Sequence, residues 1–504
     1  MEQIVNREQF EAGLRALGAQ GIVPEAQNIV DDTREVKQGD IFVLRQGASP
    51  LSKEQAEKFC AQATASGAAA IIADPKFELQ ADIPVIALAE PHLKLSALAE
   101  AFYGNPTQDM KIVAVTGTNG KTTTTYLIES LARALGLKVG VLGTISHRYP
   151  GYEEASANTT PGTLKLRRLH YNMKQAGCDL VAMEVSSHGI VQGRVDGVRF
   201  DAAIWNNLGT DHLDFHKTRE AYALAKQRLF DHYLAESFKS GKSPTAIANA
   251  DDSEVLAHIH AADPSKWGGR LLTFSTNHAP ADLVIHTEKW ENNAWNLALT
   301  MQDRTVSTRL PLIGEYNIAN AAGAISALHS LGFSLDALCE ALPRIAQIPG
   351  RMECVYAQGP IVIVDFAHTP EALENALLAA RSCLPDGGQL SVVFGAGGDR
   401  DPSKRPIMGA AAAKYADHCF ITSDNPRTED PESVIAQILD GMDPQNVSSH
   451  DIDREKTIRN VIASASHKDV ILVAGKGHED YQILGTQKIH FDDREICRDA
   501  CSKL

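Results

Sequence analysis

The sequence predicts an α/β protein with three domains, the second and third built on parallel sheets. Its 504 residues exceed what a single hydrophobic core usually supports. From "KIVAVTG" onward, strand-like apolar runs alternate with longer helical patterns, as βαβ units require. The last third of the chain repeats four times a buried-type strand that leads straight into a polar turn. These observations together favour parallel sheets covered by helices.

Two breaks in the pattern give the expected domain boundaries. The first block mixes strand-like runs such as "GDIFVL" and "AAAIIAD" with helix-like runs, and it ends at "YGNPTQDM", where Gly, Asn and Pro are typical of a linker. The second break lies in "IAQIPGRME", where Pro349 and Gly350 interrupt the alternation. We therefore expect domains over residues 1–104, 105–346 and 347–504.

The composition is typical of a globular protein of the cytoplasm. Hydrophobic residues make up 44% and charged residues 22% of the chain, and a net charge of -15 argues against a nucleic-acid binder. The first residues, "MEQIVNREQFEAGL", have neither the basic nor the apolar region of a signal peptide. No apolar stretch reaches the ~18 residues that suggest a membrane span. The eight cysteines form no CxxC pair, so neither a zinc site nor a disulfide framework is indicated.

A glycine turn between a strand and a helix predicts a phosphate site in "VAVTGTNGKTTTT", residues 113–125. Backbone N–H groups of such a turn and of the helix N-terminus form a cradle for anions. Lys121 can neutralise phosphate, and the Thr122 hydroxyl can ligate Mg²⁺. Val115 occupies the first glycine position of the pattern G-x-x-x-x-G-K-S/T, so the loop is a shortened variant. The residues predicted to bind ATP here are Gly117, Thr118, Asn119, Gly120, Lys121, Thr122 and Thr123.

Two further strand ends carry side chains that suit a metal ion. "LVAMEVSSHG" ends a strand at Glu184, and "AAIWNNLGTDHLDFH" places His212 after another strand. Oxygen and imidazole donors beside a phosphate loop suit Mg²⁺, which shares its ligation with substrate phosphates. For a single histidine, a structural role is an equally good interpretation. The hypothesis of a metal site therefore depends on all of these donor residues together.

Lys226 lies on the apolar side of a predicted helix. In "EAYALAKQRLFDHYL" it falls in one stripe with Tyr222, Leu229 and Phe230, and no carboxylate lies one helical turn away. Three interpretations stay open at this point. The side chain extends to water, it meets a partner from elsewhere in the fold, or it is chemically modified.

The four strand–turn segments of the last block predict a small-molecule site. They are "IVIVDFAHTP", "LSVVFGAGGDR", "HCFITSDNPR" and "VILVAGKGHED". In an open parallel sheet the polar turns after the strands lie along one edge, where ligands bind. The alternative is that these turns are polar only because loops at strand ends face water.

These segments resemble the Mur ligase family, the ATP-dependent amino-acid ligases that build the peptidoglycan stem peptide. "TGTNGKTTT", "EVSSHG", "NLGTDHLDFH", "GEYNIAN", "GRME", "DFAHTP" and "GKGHEDYQ" occur in the family's order between residues 116 and 482. "DDTREVKQGDIFV" extends the resemblance to the N-terminal block. The resemblance implies a domain that binds the UDP-sugar, a central P-loop ATPase-type domain and a C-terminal Rossmann-like domain that binds the amino acid.

The resemblance also implies a reaction. ATP phosphorylates the D-glutamate carboxylate of UDP-N-acetylmuramoyl-L-alanyl-D-glutamate, and the amine of meso-2,6-diaminopimelate attacks the acyl phosphate. Mg²⁺ and Lys121 stabilise the developing charge. Lys226 is implied to be carbamylated and to hold a second Mg²⁺ with Glu184 and His212, and His368 is a candidate for removing the amine proton. The resemblance leads us to expect a monomer without nucleic-acid or membrane partners.

The resemblance assigns three further groups of residues. The muramoyl-peptide nucleotide is matched by Thr33, Asn158, Thr159, Thr160, Ser186, Gln192 and Arg194. Positions around ATP are matched by Asn317, Asn320 and Arg351. The diaminopimelate pocket is matched by Arg400, Asp424, Asn425, Pro426, Arg427, Gly475 and Glu479. In this pocket Glu479 can hold an ammonium group and the two arginines a carboxylate.

The sequence departs from the family pattern at two places, and three other functions compete with the one that the resemblance implies. Phe366 stands where a tyrosine is common, and "GASPLSKEQAEKF" lacks the Asp-Gly-His/Arg stretch usual in the uridine region. The competitors are the sister ligase that adds L-lysine, a folylpolyglutamate synthase and an ATPase that drives motion or assembly. Arg427 favours diaminopimelate over lysine, because lysine has no second carboxylate to pair with it.

Overall fold

The computed structural model of the protein describes residues 7–47, 49–277 and 279–504. Two compact units make up this part of the chain. The first contains the described residues up to Thr273 together with Ser326–Gly332, and the second contains those of Phe274–Ile325 and Phe333–Leu504. The division into three domains at residues 104 and 346 stays a prediction.

The N-terminal part of the first unit is a small parallel sheet with three helices. Its elements are α1 (Arg7–Ala16), β1 (Ile29–Val30), β2 (Ile41–Val43), α2 (Lys53–Ala65), β3 (Ala70–Ala73), β4 (Val85–Ala87) and α3 (Leu95–Tyr103). The strands follow one another in the order β1-β2-β3-β4, all parallel. Helix α2 begins with a capping box, in which Ser52 and Gln55 satisfy each other's backbone N–H groups.

The rest of the first unit is a mainly parallel sheet covered by helices, with β7 and β8 as an antiparallel extension. Its elements are β5 (Lys111–Thr116), α4 (Lys121–Ala134), β6 (Val139–Leu142), β7 (Ser146–Tyr149), β8 (Tyr152–Ala155), α5 (Thr163–Gln175), β9 (Leu180–Glu184), α6 (Ser187–Val191), β10 (Ala202–Trp205), α7 (Leu213–His216), α8 (Arg219–Arg228), α9 (Ala235–Lys239), β11 (Thr245–Asn249), α10 (Ser253–Ala261) and β12 (Leu271–Ser275). Strands β11, β10, β5, β9 and β6 are parallel neighbours in that order. The strand-end segments that carry the phosphate loop and Glu184 therefore leave the sheet at the same edge.

The described part of the second unit contains three antiparallel strands, seven α-helices, a six-stranded sheet and a two-stranded hairpin. Its elements are β13 (Leu283–Glu291), β14 (Ala294–Met301), β15 (Arg304–Leu310), α11 (Tyr316–Ser330, whose last turns belong to the first unit), α12 (Leu335–Ala341), β16 (Glu353–Tyr356), β17 (Ile361–Asp365), α13 (Pro370–Ser382), β18 (Leu390–Phe394), α14 (Lys404–Tyr415), β19 (His418–Thr422), α15 (Pro431–Leu439), β20 (Val447–Asp451), α16 (Arg454–Ser464), β21 (Val470–Ala474), β22 (Tyr481–Leu484), β23 (Gln487–His490) and α17 (Asp493–Cys501). None of the helices in the described ranges is long and apolar enough to cross a membrane.

The order of the six-stranded sheet confirms that the four polar turns share one edge. The strands lie in the order β16-β17-β21-β18-β19-β20, and only β16 is antiparallel to its neighbour. The four segments singled out in the sequence form β17, β21, β18 and β19, which are adjacent in space. Nearly every residue of these strands is buried, as expected for parallel strands covered on both faces.

Candidate active site

The phosphate loop joins β5 to α4 and is closed around the side chain of Lys121. Gly117 and Gly120 both have positive φ, at 147° and 83°, a backbone region that glycine enters without strain. Lys121 Nζ donates to the carbonyl oxygens of Gly117 and Thr118, each at 2.9 Å. The backbone N–H of Asn119 donates to Asn207 Oδ1 at 2.9 Å, which ties the loop to the segment after β10. An ammonium group thus stands at the N-terminus of α4, where an anion is favoured.

Lys226 is buried beneath this loop. It is 1% exposed, and its Nζ donates to the carbonyl oxygen of Gly117 at 2.9 Å. The ammonium lies 4.4 Å from the centroid of the Tyr222 ring, whose hydroxyl donates to Thr118 Oγ1 at 3.2 Å. Burial, and then the charge of Lys121, lower the pKa of Lys226 well below its usual value. The interpretation that Lys226 extends to water is wrong, since the apolar stripe of α8 packs inward; a partner from elsewhere in the fold is confirmed.

The helix that carries Lys226 changes its hydrogen-bonding pattern just after this residue. Residues Leu229–Leu234 form a π-helical segment between α8 and α9. Such segments are rare and are frequent at functional sites. The sequence pattern predicts a continuous α-helix here. A hydrophobic stripe does not distinguish the hydrogen bonds of an α-helix from those of a π-helix.

Glu184 stands at the end of β9 with its carboxylate buried. Its two oxygens accept hydrogen bonds from the N–H and the hydroxyl of Thr144, at 2.8 and 3.0 Å. A Cβ atom at Gly143 would lie 2.4 Å from Glu184 Oε1, so a larger residue there would displace this carboxylate. Thr144 Oγ1 also lies 3.0 Å from the hydroxyl of Thr159. The carboxylate is therefore fixed in position and linked to the "ANTTPG" segment.

His212 begins α7 with a left-handed backbone, at φ 54°. Its ring lies 4.7 Å from that of His188, and its Nε2 lies 3.3 Å from Asp211 Oδ2. Across the part of the chain that the structure describes, no three His, Cys, Asp or Glu side chains are grouped as a metal site. The oxygens of Thr122 and Glu184 are nevertheless donors of the kind that Mg²⁺ takes, with phosphates completing its shell.

Four of the residues assigned to the muramoyl-peptide nucleotide lie together. Arg194 Nη1 donates to the carbonyl oxygen of Thr160 at 2.7 Å, and its Nε donates to Gln192 Oε1 at 2.9 Å. The Thr160 hydroxyl donates to the carbonyl oxygen of Glu184 at 3.0 Å and lies 3.1 Å from Ser186 Oγ. Ser186 caps α6 by accepting from the N–H of Gly189. The loop of Asn158 and Thr159 precedes this group directly.

The uridine region contains an ion pair that sequence reasoning missed. Thr33 is partly exposed, and its hydroxyl donates to Gln62 Oε1 at 3.4 Å. Beside it, Arg45 forms an ion pair with Asp31, just before the stretch "GASPLSKEQAEKF" that departs from the family pattern. Burial raises the pKa of Asp31, and the nearby guanidinium of Arg45 reduces this rise. In the sequence, Asp31 is one of several charged residues of "DDTREV", and nothing there indicates that Arg45 is its partner.

In the second unit, the residues assigned to ATP lie on α11 and before β16. Asn317 Nδ2 donates to the carbonyl oxygen of Ile313 at 2.7 Å, and Asn320 Nδ2 donates to Asn317 Oδ1 at 2.9 Å. The guanidinium of Arg351 lies 4.7 Å from the centroid of the Phe366 ring. His368 is exposed, and its Nδ1 lies 2.7 Å from the carbonyl oxygen of Phe366. Arg351 contacts the aromatic face of Phe366, and phenylalanine has the same face as the tyrosine that is common at this position.

Two arginines assigned to the amino-acid pocket flank a single glycine. A Cβ atom at Gly397 would lie 2.9 Å from Arg427 Nη1 and 3.7 Å from Arg400 Cγ. Arg427 Nη1 donates to the carbonyl oxygen of Gly398 at 2.6 Å. The turns after β18 and β19 thus bring the guanidinium of Arg427 and the side chain of Arg400 to the same glycine, as the shared edge predicts.

The acidic side of this pocket is built by the turns after β19 and β21. Asn425 Nδ2 donates to Glu479 Oε2 at 2.9 Å, and Lys476 Nζ lies 3.4 Å from the same oxygen. Gly475 has φ 119°, and a Cβ atom there would collide with the Asp424 carboxylate. Pro426 separates the amide of Asn425 from the left-handed Arg427. All seven predicted pocket residues therefore belong to three neighbouring turns.

A buried ion pair that sequence reasoning missed supports the turns after β19 and β21. Arg454 and Asp493 are fully buried and are joined by two hydrogen bonds, at 2.8 and 2.7 Å. Arg454 also donates to the carbonyl oxygens of Ser423 and Ala474, at 3.3 and 2.9 Å. These carbonyls end β19 and β21, so one guanidinium fixes both strand ends. Neither residue carries a local sequence signal, because its partner lies 39 residues away.

A second ion pair joins the turns that carry the two pocket arginines. The buried guanidinium of Arg405 donates to both oxygens of Glu429, at 2.8 and 2.9 Å. Glu429 also accepts from the N–H of Asp399 at 2.5 Å. Hydrogen bonds from Arg405 and from that N–H lower the pKa of Glu429 to about 2.

Replacing Glu429 by glutamine is expected to destabilise the protein in a pH-dependent way. Because the pKa of Glu429 is lowered in the folded state, its contribution is present above the ordinary pKa near ~4.3 and is lost as pH falls toward 2. The difference in free energy of unfolding between wild type and Glu429→Gln should be largest above about pH 5 and shrink below it. Urea unfolding across this range measures it, with the exposed Glu432→Gln as control. A difference that stays constant with pH would contradict the assignment.

Comparison with known proteins places the chain in a family. Residues 115–328 match the family described as "Mur ligase middle domain", and residues 350–477 match "Mur ligase, glutamate ligase domain". The chain belongs to the Mur ligase family. The first matched range of this Mur ligase contains the glycines of the phosphate loop, and the second contains the "DNPR" turn.

Relatives of this Mur ligase include named ligases of nearly the same length. UDP-N-acetylmuramoyl-L-alanyl-D-glutamate–2,6-diaminopimelate ligase of Synechococcus elongatus is 43% identical over 482 residues, which cover 94% of this chain and 93% of the relative. The Bacillus cereus protein of the same name is 37% identical over 478 residues, covering 95% and 94%. A solved structure with this name has a TM-score of 0.70 and 31% identity, and the match covers 99% of both chains.

A folylpolyglutamate synthase shares the fold of part of this Mur ligase. The Thermotoga maritima structure has a TM-score of 0.59 and 17% identity, and the match covers 76% of this chain and 90% of that chain. At this identity the likeness concerns the fold alone. The match leaves about a quarter of the Mur ligase outside it.

Proposed function

We propose that this chain is an ATP-dependent, ADP-forming amide ligase of peptidoglycan synthesis. It joins meso-2,6-diaminopimelate to the D-glutamate of UDP-N-acetylmuramoyl-L-alanyl-D-glutamate. The observation that carries the proposal is the pocket in which Arg400 and Arg427 flank Gly397 while Asn425 holds Glu479 nearby. The names of the relatives that match nearly the whole chain support the same substrates.

The proposed reaction has two steps. A carboxylate oxygen of the D-glutamate attacks the γ-phosphorus of ATP, the bond from this phosphorus to the bridging oxygen breaks, and ADP leaves. The amine of diaminopimelate then attacks the acyl carbon, loses a proton, and phosphate departs from the tetrahedral intermediate. Negative charge develops on the transferred phosphoryl group, and the ammonium of Lys121 at the start of α4 is placed to stabilise it.

The residues of this chain that would hold Mg²⁺ are Thr122, Glu184, His212 and Lys226 as its carbamate. When bound, the metal would neutralise phosphate charge. Glu184 is held ready by Thr144, and Thr122 lies in the first turn of α4. The oxygen donors among these residues fit this metal.

Carbamylation of Lys226 is proposed from its surroundings. Burial and the charge of Lys121 favour the neutral amine, the form of lysine that reacts with CO₂. A bond forms between Nζ and the carbon of CO₂, a proton leaves Nζ, and a carbamate anion results. The carbamate anion would be attracted to the ammonium of Lys121, the same charge that disfavours a protonated amine at Lys226.

In the amino-acid pocket we propose one partner for each charged end of diaminopimelate. Glu479 binds an ammonium group, and Asn425 and Lys476 keep its carboxylate in place. Arg427 and Arg400 bind the distal carboxylate. Lysine has no such carboxylate, so the guanidinium groups favour diaminopimelate. His368, exposed beside Phe366, is the proposed acceptor of the amine proton.

We propose that the ligase works in the cytoplasm as a monomer and without nucleic-acid or membrane partners. ATP and a UDP-linked sugar are substrates of the cytoplasm, and all proposed site residues come from one chain. The segment 1–104 is proposed to bind the UDP-sugar, 105–346 ATP, and 347–504 the amino acid. The ion pairs of Glu35 with Lys165 and Arg168 support this assignment, since they join the uridine region to α5.

Phosphate release tests the proposed function directly. We expect release from ATP only when the muramoyl dipeptide nucleotide and diaminopimelate are both present, with a stoichiometric amide product. The same assay with L-lysine in place of diaminopimelate should give a much lower kcat/KM. Phosphate release without either substrate would instead indicate an ATPase of another class, and a preference for lysine would assign the sister activity.

A further inference from the structure

Arg427 has a backbone conformation that long side chains rarely adopt. Its φ is 54°, in the left-handed region, although it is neither glycine nor asparagine. Such a conformation persists only where the surroundings enforce it, and it often marks a functional site. The direction of the Cα–Cβ bond depends on φ, so this conformation determines where the guanidinium lies.

The hairpin of β22 and β23, residues 481–490, holds this conformation from both sides. We call it the pocket hairpin. The N–H of Arg427 donates to the carbonyl oxygen of Ile483 at 3.0 Å, and the N–H of Gly485 donates to the carbonyl oxygen of Arg427 at 2.7 Å. Arg427 is thereby paired with Leu484 in an isolated parallel bridge. Both backbone polar groups of Arg427 are thus satisfied by the pocket hairpin.

Two more hydrogen bonds join the pocket hairpin to the residues just before Arg427. The buried side chain of Gln482 donates from Nε2 to the carbonyl oxygen of Asp424 at 2.6 Å. The N–H of Ile483 donates to Asn425 Oδ1 at 3.0 Å. The amide of Asn425 is therefore oriented by the hairpin on one side and donates to Glu479 on the other.

The pocket hairpin adds little to the hydrophobic core. All four residues of β23 are exposed, and Leu484 and Ile489 are 43% and 40% exposed. A hairpin that buries so little apolar surface contributes little to stability through burial. The main contribution of the pocket hairpin is therefore its set of hydrogen bonds to the turn of Asp424–Arg427.

We propose that the pocket hairpin, acting through Gln482, is the positioning element that makes the amino-acid pocket selective for a distal carboxylate. It holds Arg427 in its left-handed conformation, which keeps the guanidinium beside Gly397. Without the Gln482 hydrogen bond the turn relaxes and the guanidinium moves away from Arg400. This inference rests on the proposed function, and it assigns the selectivity to residues that do not themselves contact the ligand.

Two glutamines of the pocket hairpin form a matched pair for the test. Gln482 is buried and donates to Asp424, whereas Gln487 is exposed and pairs across the hairpin with Leu484. In Gln482→Leu we expect the KM for diaminopimelate to rise about tenfold, as the loss of one buried hydrogen bond implies. The preference for diaminopimelate over lysine in kcat/KM should fall by a similar factor. The KM for ATP and the kcat at saturating diaminopimelate should stay within about twofold of wild type.

Gln487→Leu should match wild type in every one of these parameters. Thermal unfolding of each variant checks that the fold is kept, and Gln482→Met, which preserves the side-chain length, replaces Gln482→Leu if the latter does not fold. An unchanged KM for diaminopimelate would overturn the role of the hairpin. An equal rise in KM for all three substrates would also overturn it, because a merely structural role predicts that result. If wild type itself does not ligate diaminopimelate, the proposed function fails and this inference fails with it.

Discussion

Replacing Lys226 by alanine is expected to lower turnover by about 10³-fold, the effect of removing a preorganised group that stabilises charge. Lys226 is fully buried under the phosphate loop, and its carbamate would supply an anion that alanine cannot. Added short carboxylic acids should restore part of the activity, because they can occupy the space of the carbamate and supply the missing carboxylate. Steady-state ligase assays with and without acetate or formate measure both effects.

The control for Lys226 is a lysine of the neighbouring helix α9. Lys239 is exposed and pairs with Glu236, so Lys239→Ala should be as active as wild type. Thermal unfolding of both variants separates loss of chemistry from loss of the fold. If Lys226→Ala keeps a near-normal rate, Lys226 is only a structural residue and the carbamate has no role.

Replacing Arg427 by alanine is expected to raise the KM for diaminopimelate by about 10²-fold while the KM for ATP stays near normal. Truncating one partner of a buried, hydrogen-bonded charge pair usually costs 2–5 kcal/mol, and each ~1.4 kcal/mol is a factor of ten. Since lysine lacks the distal carboxylate, kcat/KM for lysine should change much less. Kinetics with each amino acid in turn, at saturating ATP and nucleotide, measure the effect.

Arg459 offers the control for Arg427. It lies on the surface of α16, where it pairs with Glu455 and Asp499, and Arg459→Ala should leave all substrate constants unchanged. Unchanged diaminopimelate kinetics in Arg427→Ala would disprove the assignment of the distal carboxylate to this residue.

Sequence reasoning succeeds here where the physical signal is local. The four strand–turn segments of the last block are readable because buried parallel strands are continuously apolar and glycine marks close approaches of the backbone. The shared edge then follows from topology, and the structure confirms that Arg400, Arg427 and Glu479 come from neighbouring turns. For Lys226, by contrast, its place in a helical stripe left open whether the side chain extends to water, and only the structure shows its burial.

The residues that sequence reasoning missed depend on partners far along the chain. Arg454 pairs with Asp493 and Arg405 pairs with Glu429, and each of these looks like an ordinary surface charge in the sequence. The pocket hairpin is similar, since an exposed strand such as β23 has little hydrophobic pattern to mark its role. Charge pairing and main-chain pairing between distant segments become visible only when the fold brings them together.

The position of β21 has a consequence for synthesis of the protein on the ribosome. This strand is the last of the six in the chain, yet it lies between β17 and β18, which are made about a hundred and about seventy-five residues earlier. Until β21 is inserted, both of these strands lack their common neighbour, and the turn of Gly475 and Glu479 does not yet exist. Pairing over such separations is slow because it must first close long loops. The amino-acid pocket is therefore completed only after β21 has been made, and a chain that stops before Val470 should have no amino-acid pocket while its phosphate loop is already formed.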